Sequence, residues 1–355
     1  MKFILHLIAI IAAFALLLSA YGGRVDPTIW TLPSMATLAL PVVTIVVLVL
    51  LLLLLLLRRW RSAVVLIGAL FLAWPTLHLI SPFNLIQPKG DPEGKQLKVL
   101  TMNVTEFNWQ DNTDEPSKNM RYILDEDADI VVIQEGLVYF PYERQRRLKP
   151  MLEELYKKYP YRKKHFFDVG ILSKYPFTEV NSPALAQDSL SYFIKAWDVE
   201  APGRDIRVVS MHLSSLRLNN DETSVIESMN KPSGRKKRIK SVTRKLDEGF
   251  KNHVRQARAM RQLIDETEGD VLVMGDLNDT PGSYAYRTVC GSDLKDAWVD
   301  VGFGPICTFH AHHMFVKIDH ILYRGDMRVL SCRCDKAGES DHYPLVAIFD
   351  RQVTH

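Results

Sequence analysis

Apolar positions follow two patterns along the chain. As far as Ile80 they run almost unbroken, over Phe3–Ala20, Ser34–Leu57 and Ser62–Ile80. A bilayer span needs about 20 apolar residues at about 1.5 Å rise each, so the second and third runs are predicted to cross a membrane, each as one span. Pro41 and Pro75 lie near the ends of their runs, where a lost backbone hydrogen bond costs least. The first run follows Lys2 and ends Leu18-Ser19-Ala20. It reads as an uncleaved helix, with a signal peptide cut after Ala20 as the alternative.

From Leu97 the pattern changes to short apolar runs bounded by polar residues, Gly and Pro. These predict strands over Lys98–Met102, Ile130–Ile133, Asp168–Ser173, Ile194–Val199, Ile206–Met211, Val271–Met274, Ile318–Tyr323 and Leu345–Phe349. Helices are predicted over Ser117–Asp125, over Tyr142–Lys158 and near Ile239–Thr267. Many strands with fewer helices indicate an α/β layered fold with mixed sheets. Ser81–Gln96 holds Pro82, Pro88, Gly90, Pro92 and Gly94 and reads as a linker. The 355 residues thus divide into a membrane anchor (1–80, two to three transmembrane helices), a linker (81–96) and an outer domain (97–355).

Charge separates the same parts. The whole chain carries 44 Lys/Arg, 41 Asp/Glu and a formal charge of +3. Residues 1–80 contribute five of the cations (Lys2, Arg24, Arg58, Arg59, Arg61) and one acid, Asp26. The remainder is therefore close to neutral, which excludes a strongly basic nucleic-acid domain. With 47% hydrophobic residues the chain is too apolar to be disordered. Arg58, Arg59 and Arg61 lie between the second and third spans, and short basic loops stay cytoplasmic. The outer domain is then expected on the other side of a multi-pass anchor: extracytoplasmic, and periplasmic if the source is bacterial. The basic run Arg235-Lys236-Lys237-Arg238, with Lys240, Arg244 and Lys245, reads first as a solvated face and alternatively as a contact for anionic lipid headgroups. The four cysteines (Cys290, Cys307, Cys332, Cys334) read as packing residues; an oxidising compartment would permit a Cys290–Cys307 bridge, and Cys332-x-Cys334 lacks the usual zinc spacing.

Chemistry-bearing residues recur at strand ends. Asn103 follows Val99–Met102, Gln134-Glu135 follows Ile130–Ile133, and His212 follows Val208–Met211. Gly275-Asp276-Leu277-Asn278 follows Val271–Met274, Asp319-His320 follows Ile318, and Ser340-Asp341-His342 precedes Leu345–Phe349. Each alone has a plain structural explanation: Asn103 and Gly-Asp-x-Asn as turn formers, Ser-Asp-His as a cap, His212 as an internal hydrogen-bonding residue. Together they supply hard oxygen ligands for Mg²⁺, imidazoles, and a carboxylate able to orient one of them. That set suits metal-assisted phosphoester hydrolysis.

The order of these motifs, over about residues 97–350, resembles the endonuclease/exonuclease/phosphatase family, and most of all its bacterial membrane-anchored members, through Gly275–Pro281 and Ser283–Arg287. The resemblance implies a DNase I-like four-layer α/β sandwich of two packed mixed sheets, preceded here by the transmembrane helices. It also implies a Mg²⁺ site (Mn²⁺ being the other candidate ion) at one edge, with Glu135 as principal ligand assisted by Asn103 and Asp341. Asp276 would position or deprotonate the attacking water, and Asn278 would hold a phosphate oxygen. His342, oriented by Asp319, would act as base or stabilise charge. His212 would contact the phosphate and serve as a candidate acid for the leaving oxygen.

The expected activity is phosphodiesterase or nuclease. The substrate classes left open are nucleic acid, a lipid headgroup as in sphingomyelinases, a small phosphodiester, and a phosphomonoester. Met274 and Asp319-His320 depart from the inositol-phosphate 5-phosphatase pattern, and Ser191-Tyr192-Phe193-Ile194 lacks the Asn that often precedes the middle strand in the membrane-anchored relatives. Outside catalysis, the alternatives are a catalytically silent phosphate-binding module, or a transporter or sensor for which His78, near the end of the third run, is the candidate residue. Besides the bilayer met through residues 1–80, no obligate protein partner is inferred.

Overall fold

The computed structural model describes residues 2–90, 95–108, 113–136, 142–164, 168–185, 190, 193–216, 235–311 and 314–351. Two of the three long apolar runs form single helices, α1 (Lys2–Tyr21) and α4 (Trp60–Ile80), each long and apolar enough to cross a membrane. They run parallel. His6 Nδ1 lies 3.1 Å from Ser62 Oγ near one end, and Thr76 Oγ1 donates to the Ala20 carbonyl (2.9 Å) near the other. Ala9, Ala13 and Ala20 of α1 pack with Ala63, Ala69 and Ala73 of α4, small residues that let helix backbones approach.

Ser34–Leu57, expected as one continuous span, is instead two helices, α2 (Leu32–Leu38) and α3 (Leu40–Leu56), bent by 65°. The cause is proline. Pro33 and Pro41 each occupy the first turn of their helix, where the missing N–H and fixed φ are tolerated, but no α-helix continues backward through Pro41 without losing a hydrogen bond. At about 1.5 Å per residue α3 alone falls short of a hydrocarbon core of about 30 Å, so the pair must act together to make a span.

The residues that follow form two six-stranded sheets. The first has the order β11 (Met327–Cys334), β12 (Leu345–Arg351), β1 (Lys95–Asn103), β2 (Ile130–Gln134), β4 (Gly170–Ser173), β3 (Tyr161–Lys164). The second has the order β5 (Phe177–Glu179), β6 (Ile194–Val199), β7 (Ile206–His212), β8 (Asp270–Asp276), β10 (Asp319–Arg324), β9 (Lys295–Asp296). Side chains alternate across each strand. Val99, Val132, Val208, Leu272 and Met274 enter the core between the sheets. Leu100, Val131 and Ile133 turn outward onto α5 (Lys118–Glu126) and α6 (Tyr142–Lys158). Val209, Val271 and Val273 turn onto α7 (Arg235–Asp265) and α8 (Tyr284–Cys290). The result is the helix–sheet–sheet–helix sandwich of the DNase I-like fold. Strands buried on both faces read as continuous apolar runs, which is why most of the interior strands are visible in the sequence, while β6 (Ile-Lys-Ala-Trp-Asp-Val) shows by alternation.

The four strands that the apolar pattern missed, β3, β5, β9 and β11, are the four sheet edges. An edge strand has one neighbour and tolerates short or charged sequences: β3 is Tyr-Arg-Lys-Lys, β9 is Lys-Asp, and β11 carries a bulge between Val329 and Ser331. All four cysteines are free. Cys290 packs in the layer of α7 and α8, whereas Cys332 and Cys334, two positions apart on β11, share the face against the inter-sheet core.

The N-terminal helices and the segment after them meet the sandwich through side chains. Arg287 donates to Thr76 Oγ1 (3.0 Å), Arg258 pairs with Asp26, and Phe83 packs at a tilt against Phe303 with centroids 4.8 Å apart. Gly23 lies against the backbone of Gly282 and Ser283 so closely that a Cβ there would stand 2.0 Å from the Gly282 oxygen.

Candidate active site

Strand register sets the site. β1 and β2 are parallel with Asn103 opposite Gln134, β7 and β8 are parallel with His212 opposite Asp276, and antiparallel β10 sets Asp319 opposite Asp276. One edge of the sandwich therefore gathers the polar ends of five strands. Gly275 permits the two sheets to close there. Its φ is +135°, and a Cβ would lie 2.1 Å from the Met211 oxygen and 2.8 Å from Gln134 Nε2, so no other residue fits.

The side chains converge on Asp276, which is almost wholly buried. Its Oδ1 accepts from the Asn278 backbone N–H (2.7 Å). Its Oδ2 accepts from Asn278 Nδ2 at 3.2 Å and Asn103 Nδ2 at 3.5 Å, and lies 3.7 Å from His342 Nε2 and 3.8 Å from His212 Nε2. Asn103 Nδ2 also donates to Glu135 Oε1 (3.0 Å), and that oxygen lies 3.8 Å from His212 Nε2. Glu135 and Asn278 both hold left-handed backbone, φ 54° and 50°. Such residues persist where surrounding contacts over-determine them. Here the Glu135 N–H donates to Asp168 Oδ1 (3.2 Å), as the Asn278 N–H does to Asp276.

Each histidine has a carboxylate behind it. His342 Nδ1 stands 2.9 Å from Asp319 Oδ2, and His212 Nδ1 bonds to Asp168 Oδ2. Burial opposes the charged form of both rings, but the carboxylates outweigh it. Asp319 and Asp276 hold His342 up at about 10, and Asp168, Asp276 and Glu135 hold His212 up at about 9. Burial pushes Asp276 up to about 6 against the pull of His342 and His212, with Asp319 adding to the rise. For Asp319 burial is outweighed by the His342 charge, which holds the carboxyl below its usual range.

Asp341 sits on the rim. Thr105 Oγ1 donates to its Oδ1 (2.7 Å) and the Thr105 N–H donates to Asn103 Oδ1 (3.1 Å), tying Asp341 to the end of β1. Ser340 Oγ donates to the Asn103 carbonyl (2.7 Å) and accepts the His342 N–H (3.0 Å). The expected residues Asn103, Glu135, His212, Asp276, Asn278, Asp319, Asp341 and His342 are thus brought to one place. His320 is not among them: it turns away beneath α8, with Nδ1 2.6 Å from Lys317 Nζ and 2.9 Å from Asp296 Oδ2. Both hydrogens of the Asn278 amide are engaged, on the Leu213 carbonyl (2.7 Å) and on Asp276, a bracing arrangement and not one aimed at a ligand. Ser191 and Tyr192 lie outside the described residues.

Sequence reading missed Asp168 and Thr308. Asp168 opens a strand candidate, and its side chain could be singled out only with β7 beside it. The Thr308 hydroxyl accepts the backbone N–H groups of Ile318 and Asp319 (3.0 and 3.1 Å) from a loop with no periodic signal. Ligand chemistry offers two overlapping sets. Asp276, Asp319 and His342 present donor atoms within 4.8 Å of one another, while Glu135 and Asn103, of the expected oxygen set, meet beside them and Asp341 is held next to Thr105.

A family model described as Endonuclease/Exonuclease/phosphatase family matches residues 110–342, and one described as a domain of unknown function (DUF8431) matches residues 2–79. No curated protein matches the chain. Among solved structures the chain is similar to D. rerio TDP2 complexed with single strand DNA product (15% identity, 72% of this chain and 99% of that one, TM-score 0.48). It is similar also to an endonuclease/exonuclease/phosphatase from Beutenbergia cavernae DSM 12333 (16% identity, 72% of each chain, TM-score 0.47). A third is the human Nocturnin catalytic domain with bound sulfate (17% identity, 72% of this chain and 95% of that one, TM-score 0.43).

Proposed function

The chain belongs to the endonuclease/exonuclease/phosphatase family, and on that premise we propose that it is a membrane-anchored, divalent-metal-dependent hydrolase of phosphodiester bonds. The observation that carries this reading is the convergence of Asn103, Asn278, His212 and His342 on one oxygen of Asp276, with Glu135 beside it. Carboxylate and amide oxygens are the donors a hard cation such as Mg²⁺ takes, so the residues fit the ion. Glu135 would hold it, with Asn103 and Asp341 assisting. The ion would offset phosphate charge and polarise the phosphorus centre.

The chain's own groups supply the proton movements. Asp276, held at about 6, is ionised at neutral pH yet basic enough to take a proton from the attacking water. Asn278 braces that carboxylate. His342, charged and aimed by Asp319, faces the phosphoryl oxygens, where charge builds in the transition state. As the bond from phosphorus to the leaving oxygen breaks, that oxygen takes a proton from His212 Nε2, whose other nitrogen is held by Asp168.

The anchor topology supports a domain outside the cytoplasm. The parallel packing of α1 and α4 brings Lys2 to the same end of the bundle as Arg58, Arg59 and Arg61, while the outer domain meets the opposite end. The contact of Gly23 with the loop that follows Asn278 favours, within this reading, diesters held at the membrane surface, which a tethered site meets at high local concentration. The test is turnover of bis-p-nitrophenyl phosphate, p-nitrophenyl phosphate, plasmid DNA and sphingomyelin by the detergent-solubilised full chain, with Mg²⁺ or with EDTA. Diester turnover lost in EDTA and in both Asp276→Ala and His342→Ala is expected. Full activity in the double variant sinks the proposal.

A further inference from the structure

Outside the active site, a groove of about 670 Å³ lies between the connector that leaves α1 and the first third of α7. Its two walls differ in chemistry. The connector wall presents Ile29, Trp30 and Leu32, which are 83%, 56% and 55% exposed. The α7 wall presents Lys240, Arg244, Asp247 and Lys251, at spacings of four, three and four residues, which place them on one helix face. Asp247 is already engaged, bonding to Thr31 Oγ1 and pairing with Lys251 (2.8 Å). Lys240 and Arg244 lie toward the other end of this row, Arg244 Nε standing 4.0 Å from Glu248 Oε1 with both side chains exposed, and exposed Ile239 adjoins them.

Position decides what such a groove meets. The connector follows α1 directly and leads into bent α2, at the end of the bundle where Thr76 and Ala20 meet. An exposed tryptophan with aliphatic neighbours belongs at the level of lipid headgroups, and a row of cations at that level attracts anionic lipid. We propose that the groove is a binding site for one anionic phospholipid. The phosphate lies against Lys240 and Arg244, and the acyl chains run along Ile29, Trp30 and Leu32 into the bilayer. The occupant is a lipid and not a free anion, because the apolar wall has no use for inorganic phosphate. The site is separate from the reacting centre, since no groove residue touches Asp276, Glu135 or either catalytic histidine. It would clamp α7, whose Ala257, Met260, Leu263 and Ile264 pack on the second sheet, to the membrane surface.

This inference rests on reading residues 2–80 as membrane-spanning, which carbonate extraction of the membrane fraction tests separately. The direct test is native mass spectrometry of the delipidated full chain in neutral detergent, titrated with phosphatidylglycerol, phosphatidylcholine or inorganic phosphate. Phosphatidylglycerol should bind in preference to phosphatidylcholine. Lys240→Glu/Arg244→Glu should weaken that binding by at least about tenfold, with melting temperature and diester turnover in detergent unchanged. Equal retention of the two lipids, unaltered phosphatidylglycerol binding by the double variant, or displacement of the lipid by millimolar phosphate would overturn the assignment. Trp30→Ala, which leaves every charge in place, should weaken both lipids alike; no effect on either would also count against it.

Discussion

Asp319 Oδ2 and His342 Nδ1 stand 2.9 Å apart where both side chains are buried, and this contact turns His342 Nε2 toward Asp276. Asp319→Asn should keep the fold, because the Thr308 hydroxyl still accepts the backbone N–H groups of Ile318 and Asp319. Turnover should fall by roughly 10²–10⁴-fold, the range for loss of a positioned acid–base group. The ring's pKa should drop from about 10 toward that of free imidazole. Steady-state kinetics and an NMR titration of His342 check the two halves independently; an unchanged kcat removes Asp319 from the mechanism.

The rate should follow a bell-shaped pH profile. Asp276 must be ionised to accept a proton, so activity rises as pH climbs through about 6. A cation bound alongside can only move that limb lower. His212 must be protonated to serve the leaving oxygen, so activity falls as pH rises through about 9. Glu135→Gln should move the alkaline limb lower, because the Glu135 charge helps hold His212 up, while raising the metal concentration needed for half-maximal rate. A profile flat from pH 5 to 10 contradicts both assignments.

Asp296 and Lys317 form a buried pair 2.8 Å apart, each side chain only 2% exposed. Burial would raise the Asp296 carboxyl, but Lys317 and His320 outweigh it and hold it well below the usual range. Its ionised form therefore stabilises the fold above the unfolded value of about 3.9, and that stability is lost as pH falls through the lower folded value. Asp296→Asn leaves the Lys317 charge uncompensated and should cost about 3–5 kcal/mol in urea unfolding. Asp296→Leu/Lys317→Met should recover much of it. A loss below about 1 kcal/mol in the single variant would show the pair to be solvated.

Gly23→Val should loosen the grip between anchor and active-site loop. The new Cβ would stand 2.0 Å from the Gly282 oxygen and 2.8 Å from the Ser283 carbonyl carbon, an overpacking that costs about 1–3 kcal/mol. We expect a lower melting temperature and a lower kcat. Gly68→Val is the control, since nothing lies within 4 Å of a Cβ there. Equal melting temperatures and rates for the two variants would refute the coupling.

Much of this protein was readable before any coordinates. Most of the interior strands were legible because burial on both faces leaves an apolar run, with β6 (Ile-Lys-Ala-Trp-Asp-Val) legible by alternation instead, and the strand ends carrying Asn103, Glu135, His212 and Asp276 were legible because a polar residue close after such a run has few local reasons to be there. Lys240, Arg244 and Lys251 could be counted in the sequence as well, but nothing local said that they face the connector from Ile29 to Leu32.

Sequence by itself determined the apolar N-terminal runs, most of the interior of both sheets and the inventory of candidate site residues, since those depend on hydrophobic period and on neighbours in the chain. Tertiary structure alone decided the rest. It supplied the four edge strands, placed Asp168 behind His212 across 44 residues, and set Gly23 against Gly282. Each of these turns on a non-local contact or a backbone fit between distant segments. Such a contact leaves no periodic trace in the residues that make it, because the energy that selects it comes from the partner.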